Sequence, residues 1–539
     1  MSSPSERGPF PDENLPEGSV VDGAQLSQAF EDEADYVVVG SGAAGAVAAH
    51  TLASAGHSVL ICEEGPWVRT REFTEDIDSS FRNLLRDNGL QVLRGRAYMP
   101  MLQGRVVGGS TVVNSAIAWR MPEDVVEEWR RDFGLGDAIT MKDLEPHYEA
   151  LERDLGVHPV DETVLGENNR LFIETGTKRG FEPQAMRRYE RACQGSSRCI
   201  QGCPNGAKQG MNVTYVPWTL AMGGRIVTDA RVERVVVSGS RAVGVQARSK
   251  SGARILLRAR RGVFVAASTV QTPNLLRRSG LRARALGENF QAHPGQGFGA
   301  LFDKPVDMGF GATQGAESIH FRTSHRFKLE TISMPPELAT ARVPGVGAEL
   351  SKRLSQLGNV GVWVVQFRSE GKGRVGSTWG GADRVTFSPT AGDMERLRTA
   401  FAAIATMMFD AGAREVWPGI FGLPAVLSSH DDVKKLAEAS LDPRAYSMVA
   451  THLFGAARMG PDPRTSVVGP DFQTHEVKDL HVVDSSVFPT NLGVNPQHAI
   501  MTLSRLAATR ALERTGEVGV TRSGEVAVGA ARQAGAAVG

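Results

Sequence analysis

The chain has 539 residues, 41% hydrophobic and 22% charged, and its 60 Lys+Arg balance 60 Asp+Glu. At about 150 residues per domain this amounts to two to four folding units, and zero net charge argues against a broad electrostatic grip on nucleic acid or an anionic membrane. Four cysteines in so long a chain do not make a disulfide scaffold, and no run of about 18 apolar residues offers a membrane span. The first residues lack the charged start and apolar run of a signal peptide, so the expectation is a cytoplasmic protein.

Residues 1–33 are polar, acidic and rich in Pro and Ser, and they read as a flexible arm too poor in apolar groups to offset ordering entropy. A strand follows at 36–39, then Gly40-Ser41-Gly42-Ala43-Ala44-Gly45, an Ala-rich helix at 43–55 and a second strand at 58–62 that runs into Glu63. A G-x-G-x-x-G between strand and helix is a dinucleotide fingerprint. Gly40 allows the tight turn, Gly42 admits a pyrophosphate to the backbone, and Gly45 lets the helix lie close to the strand. Glu63 lies 23 residues after Gly40, where a carboxylate can accept hydrogen bonds from ribose hydroxyls. The acid disfavours a 2′-phosphorylated ligand, and FAD and NAD both remain open at this point.

Further along, Cys193, Cys199 and Cys203 cluster in a Gly-rich loop. Structural thiols or a disulfide are the plain reading. Three thiolates so close could instead hold an iron–sulfur cluster of the three-iron type, whereas zinc would lack a fourth ligand. Strands are predicted at 231–237, 262–266 and 481–483, and 397–411 reads as a core helix. Asn495-Pro496 reads as N-cap and first turn of a helix with the inner stripe Ile500, Leu503, Leu506 and Ala507. The tail after Glu517 is poor in large apolar residues and reads as loose. An opening βαβ unit whose companion strands return far downstream predicts one α/β domain assembled from separated segments, with a second domain between them.

Several of these segments carry a resemblance. Gly104-Arg-Val-Val-Gly108-Gly109-Ser110-Thr-Val-Val-Asn114 resembles the flavin-cradling loop of the glucose–methanol–choline (GMC) oxidoreductases. So do the block His452-Leu-Phe-Gly-Ala-Ala-Arg-Met-Gly460, the run Leu480-His-Val-Val-Asp484 and the segment Gly493-Val-Asn495-Pro496. Gln271-Thr-Pro273 with Ser279-Gly280, and Asn289-Phe-Gln-Ala-His293-Pro294, match two further signatures in the family's order. The resemblance implies an α/β fold: a Rossmann-like FAD-binding domain with a second, α+β substrate domain whose antiparallel sheet covers the flavin. It divides the chain into FAD-binding segments at 34–120, 205–299 and 446–515, a cap segment with the Cys-rich loop at 121–204, a substrate domain at 300–445 and a flexible tail at 516–539. The Gly108-Gly109 pair can lie flat beside the isoalloxazine ring, with Ser110 and Asn114 adding polar contacts. Asp484 resembles a position near the ribityl phosphate, Val232 one that meets the adenine through its backbone, and Pro496 the start of a helix aimed at the flavin. No His lies between His57 and His147, so the covalent link of some relatives has no attachment residue and a non-covalent FAD is expected.

The implied activity is oxidation of a small-molecule alcohol to a carbonyl. His452 would take the hydroxyl proton and a hydride would pass to flavin N5, while Asn495 would bind the substrate oxygen as charge develops there. His498, on the same helix, is a substitute candidate, and His293 is expected to be structural. Tyr446, Trp417 and Phe421 are candidates for the pocket wall. The electron acceptor is open among oxygen, a quinone and a protein. Other readings are a non-redox lyase with structural FAD, a flavin dehydrogenase with a cluster on Cys193, Cys199 and Cys203, a nicotinamide dehydrogenase, and a catalytically silent flavin-binding subunit.

Overall fold

The computed structural model describes residues 10–514, 518–520 and 526–528. Tyr36-Val-Val-Val39 and Val59-Leu-Ile-Cys62 have no polar face and are buried on both sides, as parallel strands covered by helices must be. They pair in parallel, Tyr36 opposite Val59 and Val39 opposite Cys62. Strand Arg254–Val265 flanks Phe30–Val39 in parallel, and Leu480–Val482 pairs with its end. Ala230–Ser238 and Arg241–Ser249 add an antiparallel meander, while Arg225–Thr228 and Val20–Asp22 extend the other edge, completing eight strands.

The stretch expected as a flexible arm is therefore part of the sheet from Val20 onward. Its acidic residues are not solvated coil. Glu31, Asp32 and Glu33 lie on the strand Phe30–Val39 and pair with Arg258 at 2.7 Å, Arg225 at 2.8 Å and Arg260 at 2.9 Å, so cross-strand charge complementarity holds what apolar content does not. Residues 1–9 lie outside the described residues. So does most of the expected tail, of which Val518–Val520 and Val526–Val528 pair as an antiparallel ribbon.

Helix Ala43–Ser54 is buried on nearly every side, with Ala44, Ala46, Val47, Ala48, Ala49 and Leu52 all in the core. Its small side chains let it sit between the sheet and helix Gln497–Arg514, whose Ser504 hydroxyl donates to the Ala44 carbonyl at 2.6 Å. Gly45 shows how close the approach is, since a Cβ there would stand 1.9 Å from the Gly40 carbonyl oxygen.

The second sheet has seven strands and is antiparallel around Gln291–Phe302, Val360–Phe367 and Phe327–Thr331. Helix Ala391–Asp410 opens on a Thr390/Asp393 capping box and buries Leu397, Phe401, Ile404 and Met408 against it, so the segment read as a core helix is one. No described helix is long and apolar enough to cross a membrane. Two expected segment boundaries shift. Helix Met141–Leu155 packs Leu144, Tyr148 and Leu151 into the first core, whereas Glu167–Lys178 puts Leu171 and Phe172 into the second. Gln291–Phe302 and Val449–Phe454 pair with each other in the second sheet, so residues 291–299 and 449–454 leave the expected FAD-binding segments. A strand's apolar pattern reports that it is buried, not which sheet receives it.

Candidate active site

A cavity of about 740 Å³ is lined from both sheets. Gly40, Gly42, Ala43 and Ala44 line it together with Glu63 and Val232. Ser41, Gly45 and Gly108 stand behind the wall instead. The Ser41 hydroxyl and backbone N–H donate to Glu63 Oε2 at 2.7 and 2.8 Å, and the same hydroxyl accepts from the Gly108 N–H at 3.0 Å. Glu63 Oε1 accepts from the Gly65 N–H at 2.8 Å. The acid read as a ribose ligand thus also clamps the fingerprint turn to the second glycine loop. Burial pushes its carboxyl above the ordinary value.

Gly109, Ser110 and Asn114 also line the cavity, as do Asp484, Asn495 and Pro496. Gly108, at φ +95°, makes the turn that a side chain would strain. Ser110 accepts from the Gly104 N–H at 3.0 Å, and Asn114 pairs with Gln497. Asp484 is buried with Oδ2 accepting from Ser268 N at 3.0 Å and Oδ1 from Ser486 N at 2.8 Å. The helix begins at Gln497, one residue later than read, with the Pro496 carbonyl accepting from the Ile500 N–H at 2.9 Å.

His452 enters from strand Val449–Phe454 of the second sheet, whereas Asn495 enters from the loop leading into helix Gln497–Arg514. His452 is half-buried and lines the cavity. Desolvation there pushes its pKa down to about 4; Glu330 opposes this shift and Lys328 adds to it. His293 sits opposite His452 in the strand register, with the two Nδ1 atoms 3.3 Å apart. His293 Nε2 lies 3.1 Å from Asn491 Oδ1. It lines the cavity too, so the histidine expected to be structural is the neighbour of the candidate base.

A charged group on the same sheet as His452 is not among the residues that the sequence singles out. Lys328 is fully buried and makes ion pairs with Glu317 and, at 2.7 Å, with Glu330. Glu317 and Glu330 face each other in register, a like-charge arrangement that Lys328 compensates. Burial disfavours the ammonium, but the two carboxylates outweigh it and hold Lys328 above its ordinary value. Glu330 and Gln314, which donates to it at 2.8 Å, line the cavity. The signal was present in Phe327-Lys-Leu-Glu-Thr331, where two charges alternate within a short run of strand-forming residues. Ile332, Met334, Leu338, Val362, Val364 and Val449 make the neighbouring wall apolar.

Four candidates fall away from the cavity. His498 is buried against Tyr148 and Tyr189, with Nε2 3.2 Å from Glu152. Trp417 and Tyr446 belong to the second core, and Phe421 is exposed. The cysteine loop is a separate site. Cys193, Cys199 and Cys203 are all free thiols. Arg188 donates to Cys199 Sγ at 3.1 Å, and Lys208 Nζ donates to the carbonyls of Asn114 at 2.9 Å and Cys199 at 2.6 Å. Burial pushes the Cys199 thiol up, but Arg188 and Lys208 outweigh it and hold the thiol below its ordinary value. The space among these residues is about 10 Å³, room for about one water. So little volume does not fit an iron–sulfur cluster, and among the described residues no group of His, Cys, Asp and Glu is placed to hold a metal ion. The loop braces the Gly108–Asn114 turn instead.

Comparison with known proteins matches residues 34–295 and 381–504 to the N- and C-terminal family models described as GMC oxidoreductase. An uncharacterized GMC-type oxidoreductase of Mycobacterium tuberculosis is 36% identical over 89% of this chain and 76% of its own. The long-chain-alcohol oxidase FAO1 of Arabidopsis thaliana is 27% identical, over 90% of this chain and 67% of the relative. Among solved structures, pyridoxine 4-oxidase from Mesorbium loti shares the fold with a TM-score of 0.67 at 19% identity, covering 88% of this chain and 98% of that one.

Proposed function

The chain belongs to the GMC oxidoreductase family, and from that premise we propose that it is an FAD-dependent enzyme oxidising apolar alcohols to carbonyls. The observation that carries the reading is the single cavity that joins the dinucleotide fingerprint to His452 and Asn495. The residues present fit FAD. Gly42 lines the cavity, and a Cβ there would meet nothing nearer than the Gly109 Cα at 3.8 Å, so the glycine keeps open a cradle that a side chain would fill. Gly40, Gly42, Ala43 and Ala44 would hold the pyrophosphate, Glu63 and Val232 the adenosine, and Ser110, Asn114, Asp484 and Pro496 the ring and its ribityl arm. When bound, FAD supplies the hydride acceptor. The cofactor is dissociable in this reading, because residues 58–146 contain no His to attach it.

The chain's own residues handle the proton and the substrate oxygen. His452 is neutral above about pH 4 and so arrives as a base. In the tautomer that carries its proton on Nδ1, His452 takes the hydroxyl proton of the substrate on Nε2. Asn495 donates to the same oxygen as it becomes an alkoxide. The apolar wall takes the alkyl part of the substrate, in keeping with the alcohol oxidase among the relatives. Anaerobic addition of alcohols to the FAD-loaded protein tests this, with flavin bleaching as the positive result. His452→Ala should keep FAD and slow bleaching at least about tenfold. An unchanged rate would remove His452 as the base. Reoxidation by air, a quinone or a protein acceptor then identifies the electron acceptor.

A further inference from the structure

We infer that Lys328 is a positioning residue that fixes the donor face of Asn495, an assignment that rests on the catalytic reading of Asn495 above. Lys328 Nζ lies 2.6 Å from Asn495 Oδ1. An ammonium has three donors and no acceptor, so the Asn495 atom facing it must be the carbonyl oxygen. The amide nitrogen is thereby turned the other way. Asn495 lines the cavity, and its Nδ2 makes no hydrogen bond to any described residue, which leaves an N–H donor for a substrate oxygen. An asparagine held by nothing could present either end, and the carbonyl end would repel a developing alkoxide.

The surroundings fit that task. Lys328 is fully buried between Glu317 and Glu330, and Glu317 is itself held by the Trp119 indole N–H at 2.7 Å and by Gln184 at 3.1 Å. A buried ion cluster of this kind is weak as a stabiliser compared with apolar packing. What it provides is a charged donor fixed by carboxylates on strands of the second sheet and aimed across at the loop of the first. The two candidate catalytic residues are thus coupled through one network, because Glu330 also acts on the His452 charge.

A double-mutant cycle tests the assignment, reading the limiting rate of anaerobic flavin reduction by an alcohol in wild type, Lys328→Met, Asn495→Ala and the double variant. Flavin content and thermal melting serve as the check on folding. Asn495→Ala should slow reduction by about a hundredfold. Lys328→Met should slow it at least about tenfold in the wild-type background, but less than about twofold once Asn495 is gone, since a residue acting through another has nothing left to position. Lys328→Gln, which keeps an N–H donor for Oδ1, should lose less than Lys328→Met. It also runs the same cycle if the methionine variant does not fold around two uncompensated carboxylates. Equal losses from Lys328 variants with and without Asn495, or no loss in the wild-type background, would overturn the assignment while leaving Asn495 as a catalytic residue. A wild-type rate in Asn495→Ala would instead overturn the underlying reading, and the assignment with it.

Discussion

Burial sets the protonation state of His452, the proposed base. Desolvation disfavours the imidazolium and brings its pKa to about 4, so the reactive neutral form is complete well below neutrality. The rate of flavin reduction should therefore be flat across neutral pH and fall only as the pH drops through about 4. Glu330 is the group that opposes the depression. Glu330→Gln should move the acid limb of the profile to lower pH, as stopped-flow reduction on a pH series would show. A limb that stays in place or moves upward would mean that Glu330 does not act on His452. The histidine itself was legible, because it heads a long motif. Its nearness to His293 was not legible, because a strand register joins two residues 159 positions apart and no local pattern reports that pairing. Lys328 and Glu330 were passed over for a similar reason. Charges at alternate strand positions usually face water, and only the tertiary fold shows that all five residues of Phe327–Thr331 are buried.

At the scale of elements, the opening strand–turn–helix was the most legible part of the chain, since its constraints are steric and local. Gly45→Ala would place a methyl 1.9 Å from the Gly40 carbonyl and 3.2 Å from Ala266 Cβ, and the helix could not keep its distance from the strand. The expected outcome is a loss of soluble, flavin-loaded protein, read from yield and flavin-to-protein ratio, with normal yield and loading contradicting the close packing. The strand Val20–Asp22 was not legible, because its partner Arg225–Thr228 lies about 200 residues downstream and its composition resembles a disordered arm. The cysteine loop was legible as a cluster but not as a brace, because the cations that fill it come from Arg188 and Lys208 on its flanks. Replacing Cys193 or Cys203 by Ser should leave the visible spectrum that of a flavin alone, with no iron on elemental assay. Iron in proportion to protein in the wild type, lost in these variants, would contradict the geometry.

The whole molecule carries several histidines that are neutral by burial: His50 and His452, depressed to about 4, and His147 and His481, depressed to about 3. Each takes up a proton near its ordinary value of about 6.5 when the chain unfolds. The stability they contribute is therefore complete above about 6.5 and is lost as pH falls toward 4 and 3. The urea midpoint should drop between pH 7 and pH 5, whereas a midpoint that holds or rises would show that these rings are protonated in the folded state. The cavity between the sheets brings His452, Asn495 and an apolar wall together with the glycines of the fingerprint turn. The most direct test of that arrangement is to load the purified protein with FAD and add a long-chain primary alcohol without air while recording the visible spectrum. The yellow absorbance of the oxidised flavin should bleach in the wild type and persist far longer in His452→Ala. A protein that takes up no FAD, or a bound flavin that no alcohol reduces, would contradict that arrangement.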